Sequence, residues 1–312
     1  MTKVDEIAGV AIEGLSAHVP PRSIPNKESV ATATGIAARR VAEDGETALD
    51  LSLRAAERLL AEMGTRREDF GAVVSVSFTQ HDRMPCGACQ AQSRLGLPKG
   101  VIAFDVMQAC AGYGYGLYLS ALLARQTGRK VLLLDGDRQS EFLDSSDAAT
   151  SPLLGDAGTA TVVAPSAGAA PWKFAFASDG EKGGALRLEN GGAIRMDGFG
   201  VFRFVATDVV ACLKSFLSSA ACGVDDYLFA PHQANVYMVR QLAKSVGIPE
   251  KRLLVSADRF GNLSSASVPV TLAAHAEAVR GNKILLAGFG GGLSVALGFV
   301  DIPSGSAVIL DA

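Results

Sequence analysis

The sequence predicts an α/β fold built as two similar halves, each with helices wound around a mostly parallel sheet. Two observations carry this. Over residues 47–137, helical patterns alternate with short apolar runs of strand length, and a β-α-β order brings parallel strands side by side. The alternation recurs after residue 200, beyond the Ala/Pro/Gly/Ser stretch "APSAGAAPW" (164–172). That stretch reads as a linker, giving an N-terminal half, 1–165, and a C-terminal half, 166–312.

In the first half, "TALDLSLRAAERLLAEMG" (47–64) is an amphipathic helix with a Gly stop. "GAVVSVSF" (71–78), "VIAFDV" (101–106) and "KVLLLDGD" (130–137) are Val/Ile/Leu-rich runs bounded by Gly, Asp or Lys, and read as buried strands. Helical stretches at 86–95 and 111–126 separate them. In the second half, 201–223 reads as a helix ending in Gly, "DYLFAPH" (226–232) as a strand, and 235–249 as a helix stopped by Gly and Pro. Residues 265–281 read as a further helix, with Pro269 in its first turn. "KILLAGFGGGLSVALGFV" (283–300) reads as two strands around a glycine corner.

At 312 residues and 48% hydrophobic, the chain can bury a large core. A net charge of −3 and the lack of any Lys/Arg run point away from nucleic acid. No apolar stretch reaches the ~18–20 residues that span a bilayer. "MTKVDEIAGV" has an acidic pair where a signal peptide needs an apolar core, so a cytoplasmic protein is expected. Five cysteines, an odd number in a long chain, argue against a disulfide framework. The "CGAC" at 86–89 has no second ligand pair, so it reads as two helix residues packed inside, and no metal is expected.

Reactive groups in open α/β sheets collect at the carboxyl ends of strands. Three polar residues are placed there or before a helix: Cys110, His232 and Asn262. A helix starting at Cys110 would put its thiol at the positive end of the dipole and favour thiolate. A histidine could shuttle protons, and an asparagine amide could donate to an oxyanion. Each also has an ordinary reading, as a small core residue, a satisfied core histidine and a turn residue. Spacing alone does not bring them together.

"ACAG" around Cys110, "PHQAN" (231–235), "GNLSSAS" (261–267) and "GFGGG" (288–292), with "TGIAARR" (34–40) and "LLGDAGTATVV" (153–163), resemble the β-ketoacyl-[acyl-carrier-protein] synthase III family of the thiolase fold. The resemblance covers nearly the whole chain. It implies a five-layer α-β-α-β-α sandwich and a catalytic triad of Cys110, His232 and Asn262. It implies an oxyanion hole from the backbone N–H groups of Cys110 and Gly291. It also implies substrate contacts at Met84, Leu154, Met196, Phe202, Ala234, Asn235 and Phe260. The implied reaction is a decarboxylative Claisen condensation. An acyl group on Cys110 meets a malonyl thioester, whose carbonyl His232 and Asn262 hydrogen-bond, and no cofactor is required. The implied partners are acyl-carrier protein and a second copy of the chain, or a homologue in a heterodimer. Two other roles fit the same fold: acyl transfer to an alcohol or amine, and a structural subunit of a heteromer.

Departures from the family cluster. Its well-studied members stack coenzyme A adenine on a Trp and an Arg before T-G-I, where this chain has Ser29 and Ala33. A second adenine-contacting Arg aligns with Ala148, and an Arg that docks the carrier protein aligns with Tyr237. Such contacts are worth roughly 1–2 kcal/mol each. The expected priming donor is therefore something other than free acetyl-CoA. Met84 replaces a Phe that closes the partner's acyl pocket. That exchange suggests a longer or bulkier acyl chain, and Arg83 beside it could meet a carboxylate.

Overall fold

The computed structural model describes residues 3–220 and 222–312; Met1, Thr2 and Ala221 lie outside them, the last within the helix expected over 201–223. The chain opens with β1 (Asp5–Ile7) and β2 (Val10–His18). A small hairpin of β3 (Ser23–Pro25) and β4 (Ala38–Arg40) encloses the short helix α1 (Glu28–Thr34). Helix α2 (Ala48–Met63) starts at a capping box, in which Thr47 and Asp50 each accept the other's backbone N–H, and it stops at left-handed Gly64. Then come β5 (Phe70–Val76), α3 (Gly87–Arg94), β6 (Ile102–Val106), α4 (Gly112–Thr127), β7 (Lys130–Arg138) and β8 (Asp156–Pro165).

The second half begins with β9 (Trp172–Ser178) and a hairpin of β10 (Leu186–Arg187) and β11 (Arg195–Met196). Helix α5 (Gly198–Phe204) runs through a π-helical turn at Val205–Val209 into α6 (Val210–Ala220). Strand β12 (Tyr227–Pro231), α7 (Val236–Ser245), α8 (Ala257–Phe260), α9 (Ser267–Ala274) and α10 (Ala276–Val279) lead to β13 (Asn282–Gly290), β14 (Ser294–Ile302) and β15 (Ala307–Asp311). The single helix expected over 265–281 is two, because His275 leaves helical backbone at ψ 36°. "APSAGAAPW" is the turn between β8 in one sheet and β9 in the other.

One sheet has the order β15-β2-β8-β7-β5-β6 and the other β1-β9-β14-β13-β12. The first is mixed, and the second has only one parallel pair, β12 with β13. The expectation of mostly parallel sheets is corrected there. The corner at 291–293 is too short for a crossover and folds β13 back onto β14 as a hairpin. The ends of the chain exchange halves: β1 joins the second sheet and β15 the first.

Three apolar cores stack the layers. The first joins α2 and α3 to one face of the first sheet, through Leu59, Ala88, Leu132 and Val162. The second sits between the sheets around α4 and α9, with Leu117, Val270, Leu133 and Leu286. The third joins the outer face of the second sheet to α6 and α7, through Leu213, Leu242, Leu285 and Leu297. The result is the five-layer sandwich of the thiolase fold.

Glycines set the close approaches between layers. A Cβ on Gly112 would lie 2.5 Å from Val76 Cγ1, and one on Gly116 2.7 Å from Leu133 Cδ1. Both therefore face the first sheet, and Gly112 also approaches Ser265, 3.3 Å from its Cβ. Gly114 faces Ala296 of β14, 2.7 Å from its Cβ. Helix α4 is thus pressed between sheets on two sides. On the outer face, α2 lies on the cross-strand pair Gly136 and Gly158, and a Cβ on Gly158 would collide with the backbone of Leu51 and Ser52. Gly158→Ala should lower stability by about 2–3 kcal/mol, as overpacking against fixed backbone does. Urea unfolding measures it, and an unchanged midpoint would show that α2 can move outward freely.

Candidate active site

Cys110 lies in one 3-10 turn, Ala109–Ala111, between β6 and α4. The glycine corner after β13 presses against it. A Cβ on Gly290 would come 2.8 Å from the Cys110 Cβ, and one on Gly288 would come 2.9 Å from the Ala111 Cα. Any side chain there would push the nucleophile away, which is why the corner reads "GFGGG". The backbone N–H groups of Cys110 and Gly291 both act to lower the Cys110 thiol pKa.

The expectation that the helix start favours thiolate is overturned. Burial pushes the Cys110 thiol up to about 12, the Asp137 carboxylate behind it adds to the rise, and the two N–H groups and Ser264 offset only part. The cost of burying a thiolate outweighs a helix dipole whose first full turn begins two residues later.

His232 follows β12, and its N–H donates to the Ala287 carbonyl at 2.7 Å, locking "PHQAN" to β13. Gln233 fixes the same loop from below. Its Nε2 donates to the Pro231 and Leu254 carbonyls, and its Oε1 accepts from the Ser256 and Ala257 amides. The His232 Nδ1 lies 3.0 Å from the Ser264 carbonyl. A carbonyl only accepts, so Nδ1 carries the proton and Nε2 keeps its lone pair. Burial among apolar groups, with Phe289 edge-on at 5.3 Å, lowers the imidazole to about 4, so it is neutral at pH 7.

Asn262 donates its N–H to the Leu153 carbonyl at 2.8 Å, and its own carbonyl accepts from Gly155 N–H at 2.9 Å and Gln139 Nε2 at 2.8 Å. Its Oδ1 accepts from the Ser264 N–H at 3.0 Å. This leaves Nδ2, a donor, as the free end of the amide. Ser264 Oγ completes the set, 4.0 Å from Cys110 Sγ.

Cys110, Asn262 and Gly291 line one cavity of about 90 Å³, together with Leu154, Leu186, Met196 and other mostly apolar residues. Five expected substrate contacts lie off its wall. Phe260 is only 1% exposed, a core residue with Arg259 4.6 Å over its ring; burial removes it from any substrate. Asn235 spends its side chain capping α7, accepting from the Met238 N–H at 2.8 Å. Ala234 packs into the outer core of the second sheet. Phe202, on α5, is 41% exposed, and Met84 is 88% exposed at the surface. Arg83 donates to Asn190 Oδ1 at 2.7 Å.

Sequence reasoning missed Ser264 and Asp137. Ser264 sits inside the quoted "GNLSSAS", but nothing in a serine announces left-handed backbone (φ 54°). Asp137 had a signal, an acid within an apolar strand. Its Oδ1 accepts from Ser77 Oγ, the Phe78 and Thr79 amides and Thr79 Oγ1, and burial raises its carboxyl to about 6. The CxxC is only partly packed inside: Cys86, at the N-cap position of α3, is half-buried against the first core, and Cys89 is exposed. Among the described residues no cluster of His, Cys, Asp or Glu is placed to hold a metal, and no helix is long and apolar enough to cross a membrane.

The chain is similar to known proteins over nearly its whole length. The family model described as 3-oxoacyl-[acyl-carrier-protein (ACP)] synthase III matches residues 104–180, and that of its C-terminal part matches 217–302. The β-ketoacyl-[acyl-carrier-protein] synthase III of Geobacillus kaustophilus is 32% identical over 302 residues, covering 92% of this chain and 96% of that protein. A 3-oxoacyl-(acyl-carrier protein) synthase structure from Burkholderia xenovorans LB400 superposes with a TM-score of 0.93 at 30% identity, covering 99% of both chains. The priming β-ketosynthase of the R1128 polyketide pathway gives a TM-score of 0.85 at 31% identity, covering 96% of this chain and 98% of that one. The chain belongs to the 3-oxoacyl-[acyl-carrier-protein] synthase III family, thiolase-fold acyltransferases of Claisen condensation in fatty-acid or polyketide biosynthesis.

Proposed function

We propose that Cys110 carries the acyl group and that a malonyl thioester on acyl-carrier protein is condensed with it, giving a 3-oxoacyl thioester. The supporting observation is that Ser264 bonds to His232 and Asn262 and reaches Cys110, while Cys110, Asn262 and Gly291 wall one cavity. In acylation, the thioester carbonyl oxygen sits on the N–H groups of Cys110 and Gly291. The thiol proton passes to His232 Nε2 as sulfur bonds to carbon, and then to the departing thiolate. In condensation, Asn262 Nδ2 donates to the malonyl thioester carbonyl as carbon dioxide leaves. The carbanion bonds to the acyl carbon, the bond to Cys110 sulfur breaks, and the thiolate takes one proton from solvent. His232 can donate to that carbonyl only with a proton on Nε2, so Asn262 is the standing donor.

No metal or redox cofactor enters these steps. The reading includes a cytoplasmic homodimer in which the exposed Met84 reaches toward the partner's pocket. A cavity below the ~150 Å³ that admits benzene favours a short acyl group over the longer one that the Met84 exchange suggested. The donor is expected on a carrier protein, since Ser29, Ala33 and Ala148 offer adenine no stacking surface.

Incubation with a panel of acyl-CoA and acyl-carrier donors should add a short acyl mass to Cys110, and none to Cys110→Ala. Intact-mass spectrometry reads it, and equal labelling by long-chain donors would refute the size argument. Asn262→Ala should cut carbon dioxide release from malonyl thioester by about 10²–10³-fold, as loss of one oxyanion donor does, with Cys110 acylation retained. Equal loss of both steps would point to simple acyl transfer. With the thiol near 12, alkylation of free Cys110 by iodoacetamide should rise about tenfold per pH unit from 7 to 10. A plateau by pH 8 would show that a thiolate pre-exists.

A further inference from the structure

A second polar pocket lies behind the wall of the reaction cavity. Gln139 and Thr150 face the cavity; Ser140, Ser145 and Ser151, from the same loop, face a pocket of about 300 Å³ on the other side. Three arginines from three segments point into it: Arg22, Arg39 on β4, and Arg138 at the end of β7. None is well paired. Two carboxylates, Asp44 and Glu141, line the pocket too, but neither pairs closely: Arg22 is 3.9 Å from Asp44, which is fully exposed, and Arg138 is 3.5 Å from Glu141. Arg39 has a single weak bond, to the Leu154 carbonyl at 3.4 Å, and Arg138 Nε is buried without a partner. The one buried acid at the base, Asp156, is already saturated: its oxygens accept from the Ala42 and Ser140 amides and from Ser140 Oγ.

Three guanidinium groups brought into one half-enclosed space repel one another, and burial deepens the cost. Burial pulls the Arg39 pKa below its usual value; the Asp156 carboxylate offsets part of this, and the charge of Arg22 adds to it. Such an arrangement is stable when an anion joins it. Guanidinium forks match phosphate oxygens two at a time, and three forks around one centre suit a tetrahedral group better than a planar carboxylate. We propose that this pocket binds a phosphate group, either free phosphate or a phosphate of a nucleotide-bearing thioester donor. Neither Ser29 nor Ala33 is among its lining residues. A phosphate there would also stiffen residues 139–151, which form one wall of the reaction cavity. The inference concerns binding alone and does not depend on the condensation reading.

Calorimetric titration of the full chain with inorganic phosphate and with 3′,5′-ADP tests it, with sodium chloride matching ionic strength, because screening weakens any surface attraction. At least one probe should bind with a dissociation constant below about 1 mM. Arg39→Gln and Arg138→Gln should each weaken it tenfold or more, and Arg58→Gln, on the exposed face of α2, should not. Arg22→Gln, at an exposed position, keeps the test open if Arg138→Gln fails to fold. Similar affinity for both probes assigns the site to free phosphate, and clear preference for 3′,5′-ADP assigns it to a nucleotide-bearing donor. Absence of binding, or binding unchanged in all three pocket variants, overturns the proposal.

Discussion

Two non-glycine residues among those described hold left-handed backbone, Ala109 (φ 38°) and Ser264 (φ 54°), and each stands beside reactive groups. Such backbone costs roughly 1–3 kcal/mol and persists only where the surroundings over-determine it. At Ser264 they do. Its carbonyl accepts from His232, its N–H donates to Asn262, and its hydroxyl reaches Cys110. If Ser264 relaxed to ordinary backbone, its carbonyl and N–H could no longer point along these directions. His232 would lose its tautomer and Asn262 the orientation of its amide. The geometry of three distant segments therefore rests on one strained peptide.

The electrostatics follow from where that peptide sits. The nucleophile is buried, the imidazole is neutral, and the nearest carboxylate, Asp137, opposes ionisation of the thiol. A resting thiolate–imidazolium pair is thus disfavoured from both sides. In the proposed reaction, proton transfer would then accompany bond formation, with the lone pair on His232 Nε2 as acceptor. In the proposed acylation, the N–H groups of Cys110 and Gly291, which both lower the thiol pKa, would receive the developing negative charge.

Much of this was legible in the sequence where backbone sterics leave a single choice. "GFGGG" could be read because no Cβ fits against Cys110, and the strands and helices of 47–137 because their apolar periods are clean. Strands β2 and β8 escaped notice. Both are buried on two faces, yet they are written largely in Gly, Ala, Ser and Thr, which carry no strong apolar run. Ser264 escaped because its role lies in main-chain atoms. Phe260, Ala234 and Asn235 were placed at the substrate by resemblance to the family. In the fold, a side chain next to a site residue commonly turns the other way, here into the core or onto a helix cap.

The site also needs the two halves held at fixed spacing, since Cys110 comes from one and His232 and Asn262 from the other. The exchange of β1 and β15 between sheets ties them at the edges. At the centre, Ser265 donates to Asp135 Oδ1 at 2.5 Å, joining the loop that carries Asn262 to β7. Burial raises the Asp135 carboxyl well above its usual range, and the Ser265 hydroxyl offsets part of that rise. A charged pair at the same place would carry a desolvation penalty and a field acting on the thiol a few residues away. A hydroxyl donor fixes the spacing with one fewer buried charge than such a pair would bring.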